Sequence, residues 1–597
     1  MEKIDGKTLD LTKENINTLK KLFPEIVTEG KVDFDKLKLI LGEEINDRKE
    51  KYEFTWHGKA QSLKLAQKPS TGTLRPDKES SKKWDSTENL YIEGDNLEVL
   101  KLMQKSYFGK VKMIYIDPPY NTGQDFVYHD DFRDNIKNYK EITKQASKAN
   151  TETNGRYHTD WLNLMYPRLK IARNLLKDDG VIFISIDDNE VANLRKICDE
   201  IFGEDNLIVQ ICHKARGSVS NDKVISPNHN HILLYAKNFM EVFKLRKQIG
   251  LDPELEGFSN DDNDQRGPYK LVPVDGPGGE RKGNPYYEFL GVRGYFRYSK
   301  DTMEKMHKDG IVVKRGNSLL RKYYLEDAKK SRKTVTSWWD NVGYTSTATT
   351  RLKKIMETGV FDSPKPVDLI YRMLKLFVTF DKDALVLDFF SGSATTAQAV
   401  MQINQEDNGR RKFIMVQLPE STDEKSEAYK AGYLNICEIG KERIRRAGEK
   451  IIEEIGNTDL DIGFKVFKLE SSNLKTWDPN TENLEQDLFD LQDNIKDGRS
   501  KEDLLYEILL KVGISLTTPI EEVELNNKVI YNVGFGGVLL CLEDEINLDT
   551  VQEMIKLKPE DFDTKVIFKE TGFLNDSVKT NAIQTLKKNG ITDVRSV

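Results

Sequence analysis

The sequence contains no apolar run long enough to span a lipid bilayer, and its longest runs are short stretches such as Val181–Ile186. The first residues, MEKIDGKTLDLTKE, are charged and lack the apolar core of a secretory signal. These two absences predict a cytoplasmic protein without a membrane partner. The sequence also has no GxGxxG dinucleotide fingerprint and no GxxxxGK[ST] phosphate loop, so neither nucleotide-binding motif explains it.

Metal-ligand patterns are also scarce. Four cysteines occur among 597 residues, and they lie far apart: Cys198, Cys212, Cys437 and Cys541. This spacing matches no structural zinc site and predicts reduced thiols. His229 and His231 would point to the same face of a predicted strand, but the sequence places no third ligand nearby. We therefore predict no metal site.

The net charge of −7 is small for this length and argues neither for nor against nucleic acid, so the position of the basic residues matters more. Between Arg281 and Lys333 there are fifteen basic and six acidic residues, with tyrosines interleaved. Such a pattern suits contacts to phosphates and stacking on bases. The alternative is the solvated surface of a small β-rich domain. The basic stretch KERIRRAGEKI, further along, is interpreted as the solvated face of a helix.

A chain of this length predicts three to five domains. Strands alternate with helices from Leu90, which is typical of an α/β sheet. Val111–Ile116 is a predicted strand, and a helix is predicted to start near Asp95 or Asn96. Residues 237–345 break the alternation, which then returns. One α/β unit is therefore predicted to be split by an insertion of about a hundred residues.

Asp117-Pro118-Pro119-Tyr120 follows directly on the predicted strand Val111–Ile116. In open α/β sheets ligands bind at the carboxyl ends of strands. The Asp117 carboxylate and the Pro118 carbonyl are able to accept the two N–H bonds of a base amine and aim its lone pair at an activated methyl group, and the prolines fix the carbonyl direction. Tyr120 offers a ring for stacking on a base outside the duplex. The alternative is a strand-to-turn junction that happens to contain two prolines.

A second motif, LVLDFFSGS, spans residues 385–393 and predicts a strand, an acid and a small-residue turn that leads into a helix. This arrangement is typical of nucleotide-like cofactor sites at a sheet edge, where Gly392 lets the backbone approach the ligand. Gln417, at the end of the next predicted strand, is placed to bond ribose hydroxyls. Alone, the turn is equally compatible with an ordinary strand–helix junction.

Together, DPPY and DFFSGS resemble the amino-methyltransferases of DNA, in the permuted β-class order that puts the catalytic tetrapeptide before the cofactor turn. The segments IYIDPPYNTG, YHDDF, SPKPVDL, VQLPE and DSVKTNAIQTLKKNG are similar, more specifically, to the Mod subunits of type III restriction–modification systems. The resemblance covers nearly the whole chain from about Leu90. It implies a circularly permuted, doubly wound, Rossmann-like methyltransferase sheet with an inserted target-recognition domain and a C-terminal α/β module.

The resemblance also implies S-adenosylmethionine as methyl donor, adenine N6 in double-stranded DNA as acceptor, and no metal for methyl transfer. It assigns the catalytic pocket to Asp117, Pro118, Pro119 and Tyr120. It assigns the cofactor site to Asp95, Lys365, Pro366, Asp388, Phe390, Gly392 and Gln417. One departure is Ala394, where the family commonly has glycine, and a methyl group there is expected to crowd the turn.

The implied domains are an N-terminal arm (1–85), a catalytic half (86–238), a target-recognition domain (239–345), a cofactor half (346–470) and a C-terminal domain (471–597). The predicted DNA contacts are Arg281, Lys282, Arg293, Arg297, Lys314, Arg315, Arg321 and Lys322. A homodimer and a separate ATP-dependent Res nuclease are implied partners. Two alternatives stay open: a recognition subunit that mainly serves a nuclease, and an amino-methyltransferase for cytosine N4 or for RNA.

Overall fold

The structure is a computed structural model that describes residues 2–4, 7–8, 10–28, 31–41, 53–122, 157–221, 224–456, 459–475 and 495–597. The YHDDF segment of the sequence analysis lies outside the described residues. The chain forms two units: the first comprises Met1–Phe239, Ser337–Leu374 and Asp381–Val597, and the second comprises Met240–Thr336 and Lys375–Phe380. The predicted insertion thus corresponds to a unit of its own, and residues 337–345 belong to the first unit.

The strands are β1 (Glu2–Lys3), β2 (Val27–Thr28), β3 (Lys31–Val32), β4 (Gly72–Lys82), β5 (Leu90–Glu93), β6 (Val111–Ile116), β7 (Leu176–Ile186), β8 (Leu207–Lys214), β9 (His229–Ala236), β10 (Tyr269–Pro273), β11 (Tyr286–Phe289), β12 (Val292–Tyr295), β13 (Val312–Arg315), β14 (Ser318–Tyr324), β15 (Trp338–Trp339), β16 (Leu385–Asp388), β17 (Lys412–Gln417), β18 (Phe464–Ser471), β19 (Ile520–Leu525), β20 (Lys528–Val533), β21 (Val538–Cys541), β22 (Lys565–Phe568) and β23 (Asp593–Ser596).

The helices are α1 (Leu11–Leu22), α2 (Phe34–Leu41), α3 (Lys59–Gln67), α4 (Asn96–Tyr107), α5 (Tyr157–Leu175), α6 (Val191–Phe202), α7 (Phe239–Lys244), α8 (Lys300–Lys308), α9 (Leu325–Lys329), α10 (Thr345–Met356), α11 (Val367–Phe377), α12 (Thr395–Asp407), α13 (Glu427–Lys430), α14 (Ile436–Ile455), α15 (Lys501–Val512), α16 (Leu548–Ile555) and α17 (Asp576–Lys588). No helix in the described parts of the chain is both long and apolar enough to cross a membrane.

A ten-stranded sheet organises the first unit, in the order β15-β8-β9-β7-β6-β16-β17-β5-β18-β4. The six strands from β7 to β18 in this order run parallel, whereas β9 is antiparallel to both of its neighbours and β4 is antiparallel to β18. The central pair, β6 and β16, comes from segments on opposite sides of the insertion. This strand order confirms the predicted permuted, doubly wound α/β fold.

The sequence of β6 explains its central position. All six of its residues, VKMIYI, are buried, which is the pattern of a parallel strand that is covered on both faces. Ile114 and Ile116 belong to the core that includes residues of α4, α5 and α6, while Met113 and Tyr115 are buried on the opposite face. The predicted bounds of this strand match those in the structure.

The predicted N-terminal arm (1–85) includes one strand of the large sheet. The stretch KPSTGTLRPDKESSKKWDS, at the end of this arm, has the polar composition of a linker but contains β4, an edge strand that pairs with β18. Its polar composition reflects the edge position, because only Gly72, Thr73 and Leu74 are buried and the rest of the strand is partly or fully exposed. Strand β1 in turn pairs with β23, close to the end of the chain.

The C-terminal stretch, predicted as a separate domain, belongs to the first unit. It contributes a six-stranded sheet in the order β1-β23-β22-β21-β20-β19, and its helix α15 packs against α4 and β4. Leu509 of α15 and Leu540 of β21 lie in the same hydrophobic core as Leu100 of α4. The C-terminal stretch thus shares one core with the large sheet, and it forms a second core from its own residues, among them Leu539, Val551 and Phe568.

The second unit has a small core of its own, formed by Val274, Phe289, Phe296, Met303, Val312 and Leu319. It contains a three-stranded antiparallel sheet, β10-β14-β13, and a hairpin of β11 and β12. Its helices α8 and α9 are short, with nine and five residues.

We expect Leu509→Ala to lower the free energy of unfolding by about 2–5 kcal/mol, because Leu509 is fully buried and the substitution leaves a cavity. Urea denaturation followed by tryptophan fluorescence measures the change. Leu574→Ala, at a leucine that is 58% exposed, is the control and should change stability by less than about 0.5 kcal/mol. A loss confined to a separate C-terminal transition would contradict the shared core.

Candidate active site

The carboxyl ends of β6 and β16 meet at one edge of the large sheet. Ile114 pairs with Leu387 across the two parallel strands, so Asp117 and Asp388 emerge side by side from distant parts of the chain. A cleft of about 330 Å³ opens there. Nine predicted catalytic or cofactor residues line it: Asp117, Pro118, Pro119, Tyr120, Lys365, Asp388, Phe390, Gly392 and Gln417.

The two carboxylate oxygens of Asp117 differ in their surroundings. Oδ2 accepts a hydrogen bond from Lys365 Nζ at 2.5 Å. Oδ1 is buried and has no hydrogen-bond partner among the described residues. A buried acceptor without a donor is costly and is rare in folded proteins. The cleft therefore presents a free acceptor to a ligand that carries an N–H group.

Tyr120 lies next to this carboxylate. Lys365 Nζ is 4.9 Å from the centre of its ring, and Asn230 Nδ2 donates to its hydroxyl at 3.4 Å. Burial and the nearby Asp117 charge raise the pKa of Tyr120, so the phenol stays neutral at ordinary pH. Trp161 Nε1 donates to the Pro119 carbonyl at 2.7 Å.

A hydrogen-bond network centred on the buried Glu190 holds Asn121, the residue that follows the Asp117–Tyr120 tetrapeptide. Asn121 adopts a left-handed conformation with φ of 58°, which asparagine tolerates better than most residues. Its Nδ2 donates to Glu190 Oε1 at 2.6 Å, and the same oxygen contacts His158 Nδ1 at 2.5 Å. Glu190 is fully buried and also accepts a bond from Asn193. Sequence reasoning missed Glu190, because nothing local distinguishes it from the exposed acids beside it.

The glycine turn after β16 is fixed by hydrogen bonds to side chains. Gly392 has φ of +49°, and its N–H donates to Gln417 Oε1 at 2.7 Å. Gln417 therefore orients this turn as well as lining the cleft. Ala394 also adopts a left-handed conformation, with φ of 59°, which is strained for alanine. It caps α12 and does not line the cleft, unlike its neighbours Ser393 and Thr395.

Asp388 lies beneath the turn and is buried. It accepts hydrogen bonds from the Phe390 N–H at 3.2 Å and from the Thr396 hydroxyl at 2.6 Å. Burial raises the pKa of Asp388 to about 7, and the Asp117 charge adds to the increase against these two hydrogen bonds. A cationic ligand in the cleft would favour the ionised form.

The interpretation of KERIRRAGEKI as a solvated helix face is wrong for two of its residues. Lys441 is fully buried and pairs with Glu93 at 2.6 Å. Arg443 is 2% exposed and donates to Ser393 Oγ at 2.8 Å and to Thr395 Oγ1 at 2.7 Å. This arginine therefore holds the far side of the glycine turn. The sequence did not predict this role, because charged residues on a helix are usually exposed.

Two of the predicted cofactor residues do not line the cleft, Asp95 and Pro366. Asp95 caps α4 by accepting from the Glu98 N–H, and its carboxylate pairs with the buried Arg168 at 2.9 Å. Its neighbour Asn96 lines the cleft and donates to the Phe389 carbonyl. A cofactor contact by Asp95 stays a prediction.

The predicted DNA contacts all lie in the second unit. Six are exposed: Arg281, Lys282, Arg293, Arg297, Lys314 and Arg315. Arg321 and Lys322 are partly buried, and Lys322 pairs with Asp262. Several interleaved aromatic rings pack on each other, as Tyr287 does on Phe296.

The chain is similar in sequence to known DNA-modifying proteins. A model of the N6_N4_Mtase family, described as DNA methylase, matches residues 111–449. The chain is 34% identical over 480 residues to the type III restriction-modification enzyme StyLTI Mod subunit of Salmonella typhimurium, covering 76% of this chain and 72% of that protein. It is 33% identical to the EcoPI Mod subunit of Escherichia phage P1 and 31% identical to the EcoP15I Mod subunit of Escherichia coli, with 92% of each chain covered in both cases.

We expect the free energy of unfolding of the parent protein to fall as pH rises from about 5 to 8, and we expect a smaller fall in the Asp388→Asn variant. The folded pKa of Asp388, about 7, lies above the ordinary 3.8, so the folded state holds the proton more tightly. That contribution is present at low pH and is lost as pH rises through the folded value. Unfolding measured at both pH values should show the asparagine variant gaining about 2 kcal/mol relative to the parent at the higher pH. If the stability of the parent and of the variant changed equally with pH, the raised pKa of Asp388 would be contradicted.

Proposed function

Because the chain belongs to the N6/N4 DNA methylases and, within them, to the Mod subunits of type III restriction–modification systems, we propose that its cleft methylates N6 of a target adenine in double-stranded DNA. The observation that carries this proposal is the free acceptor, Asp117 Oδ1, in the same cleft as Asp388 and the Gly392 turn. An acceptor for an amine hydrogen and a turn suited to a nucleoside-like ligand thus belong to one cleft.

The residues of the cleft fit S-adenosylmethionine, the methyl donor of this family. When bound, it supplies a methyl group that is activated by a positively charged sulfur. Asp388, buried and with its pKa raised to about 7, offers a negative charge that a cationic ligand would stabilise. Gly392 has a positive φ, and a Cβ at this position would lie 3.3 Å from Cζ of Phe361, another residue of the cleft, so glycine suits the turn. Phe390 and Gln417 complete the lining on this side, where they would hold the donor.

The catalytic role of the tetrapeptide follows from its hydrogen-bonding capacity. The lone pair of an exocyclic amine is delocalised into the ring, which makes the nitrogen a poor nucleophile. Asp117 Oδ1 and the Pro118 carbonyl together would accept both amine hydrogens and draw the nitrogen out of conjugation. Lys365 holds the second oxygen of Asp117, so the carboxylate is already oriented before the base arrives. Tyr120 supplies a ring for stacking on the extruded base.

Adenine is the preferred base because the tetrapeptide begins with aspartate, whereas a serine-led version is typical of N4-cytosine enzymes. A second candidate, methylation of cytosine N4, uses the same amine chemistry.

We expect Asp117→Ala to lower the rate of methyl transfer by at least about 100-fold, because the amine loses a preorganised acceptor. Mass spectrometry of nucleosides from treated DNA measures the product, and N6-methyladenine is expected from the parent protein. Calorimetric binding of S-adenosylmethionine should persist in the variant, which separates catalysis from folding. Asp178→Ala, at an aspartate whose side chain is 79% exposed, is the control and should retain activity. N4-methylcytosine as the product would overturn the choice of adenine.

The second unit is proposed to be the target-recognition domain. Six of its predicted DNA contacts are exposed basic residues. Arg281 and Lys282 are adjacent and form no ion pair with any described residue, so both are available to phosphates. Arg293 is less available, because it pairs with Glu288 at 2.7 Å.

We expect the double variant Arg281→Ala, Lys282→Ala to bind DNA more weakly and with a smaller salt dependence. Each lost phosphate contact should reduce the slope of log affinity against log salt by about 0.9, so by nearly two in all. Fluorescence anisotropy with a labelled duplex at several salt concentrations measures the slope. Arg410→Ala in the first unit, at an arginine whose side chain is 81% exposed, is the matched control. An unchanged slope would place the DNA contact elsewhere.

The family further supports a cytoplasmic homodimer, in which one copy reads DNA while the other methylates it, and an ATP-dependent Res subunit as nuclease partner. The sequence contains no phosphate loop for ATP, so the chain is proposed to supply recognition and modification only. Cleavage of DNA by the purified chain alone would contradict this division of roles.

A further inference from the structure

A cluster of two histidines and one aspartate lies on the large sheet, apart from the residues that line the cleft. Potential ligand atoms of Asp188, His229 and His231 all lie within 4.8 Å of one another. His231 Nε2 is 2.7 Å from Asp188 Oδ1, and His229 Nε2 is 3.9 Å from the same oxygen. The sequence predicted no metal site here because it offered no third ligand, and the fold brings in Asp188 as that ligand.

The backbone explains why these side chains converge. His229 and His231 are two residues apart on β9, so they point to the same face of the sheet. Strand β7 is antiparallel to β9, and Ile186 pairs with His231. Asp188 follows two residues after Ile186, so its side chain emerges on that face beside His229. The ligands therefore lie at the ends of two adjacent strands of a rigid sheet.

An outer partner orients one of the ligands. Gln210 Nε2 of β8 donates to His231 Nδ1 at 3.1 Å, and His231 Nε2 is directed at Asp188. A metal-binding histidine donates its second ring N–H to an acceptor, so with a metal ion on Nε2 the Gln210 amide would turn and accept from Nδ1–H through its Oε1. A simple ion pair with Asp188 would need one histidine only. The second ring packs edge to face on the first, with ring centres 5.0 Å apart, and this packing brings its Nε2 to 3.9 Å from the same oxygen.

We propose that Asp188, His229 and His231 bind one divalent transition-metal ion of the Zn²⁺ and Co²⁺ class. Two imidazoles and one carboxylate are the donor set that these ions prefer, whereas Mg²⁺ and Ca²⁺ prefer oxygen ligands throughout. The carboxylate is 61% exposed, so ions have access and water can complete the coordination.

The site is linked to the proposed catalytic loop through one residue. Asn230 lies between the two histidines, and its Nδ2 donates to the Tyr120 hydroxyl at 3.4 Å. A bound ion would fix this end of β9 and with it the hydrogen bond to Tyr120. The ion acts on the position of the strand and does not take part in methyl transfer.

Titration of the full chain with CoCl₂, followed by visible absorption and isothermal calorimetry, tests the proposal. One ion per chain is expected, without a thiolate charge-transfer band, since no cysteine is a ligand. His231→Gln and Asp188→Asn should each weaken binding at least about 10-fold, and Gln210→Ala about 10-fold through loss of ligand orientation. His307→Gln, at a histidine of the second unit, is the matched control and should leave binding unchanged.

Thermal melts distinguish loss of the site from loss of the fold. Without added ion, the variants should melt close to the parent, and ZnCl₂ should raise the melting temperature of the parent and of His307→Gln only. Three results would overturn the proposal: no binding by the parent, unchanged binding in a His229→Gln, His231→Gln double variant, or a thiolate band in the cobalt spectrum. The first of these would leave the cluster as an ion pair.

Discussion

The parallel pairing of β6 with β16 is the constraint on which the rest of the molecule depends. Asp117 directly follows β6 and Asp388 is the last residue of β16, both at the same edge of the sheet, and the cleft is lined by residues of both segments. Their pairing joins segments on either side of the second unit. Since both strands are packed on both faces, a shift in register would force their side chains out of complementary positions in the core and would separate the two acids, so the same packing that stabilises the sheet also fixes the site.

Near β6 and β16, three buried basic side chains make ion pairs or hydrogen bonds inside the protein. Arg168 pairs with Asp95, Lys441 pairs with Glu93, and Arg443 bonds the turn that contains Gly392. Each buried charge is costly unless it is paired or fully hydrogen-bonded, and removing one partner leaves the other unsatisfied. These contacts therefore contribute less to net stability than to a unique position for the turn and for the first residues of α4.

The sequence was informative where local patterns decide structure. The apolar run Val111–Ile116 gave the bounds of β6, and the helix predicted near Asp95 begins at Asn96 with Asp95 as its cap. It failed where tertiary context decides. The polar residues of β4 resemble a linker because an edge strand is half solvated, and Arg443 resembles a surface residue because its hydrogen-bond partners lie on another element. Likewise, no local pattern links Asp188 with His229, which only strand pairing brings together.

The contact between Lys365 and Asp117 connects the electrostatics of the site with its assembly. A neutral base amine cannot compensate a partly buried carboxylate, so without a cation Asp117 would bear an unpaired charge in the cleft. Lys365 supplies that cation at one oxygen and leaves the other as a free acceptor. The lysine lies between the two segments of the second unit, Met240–Thr336 and Lys375–Phe380, and the aspartate precedes both of them in sequence. Asp117 is therefore compensated only when both halves of the sheet have come together, which ties the catalytic geometry to completion of the fold.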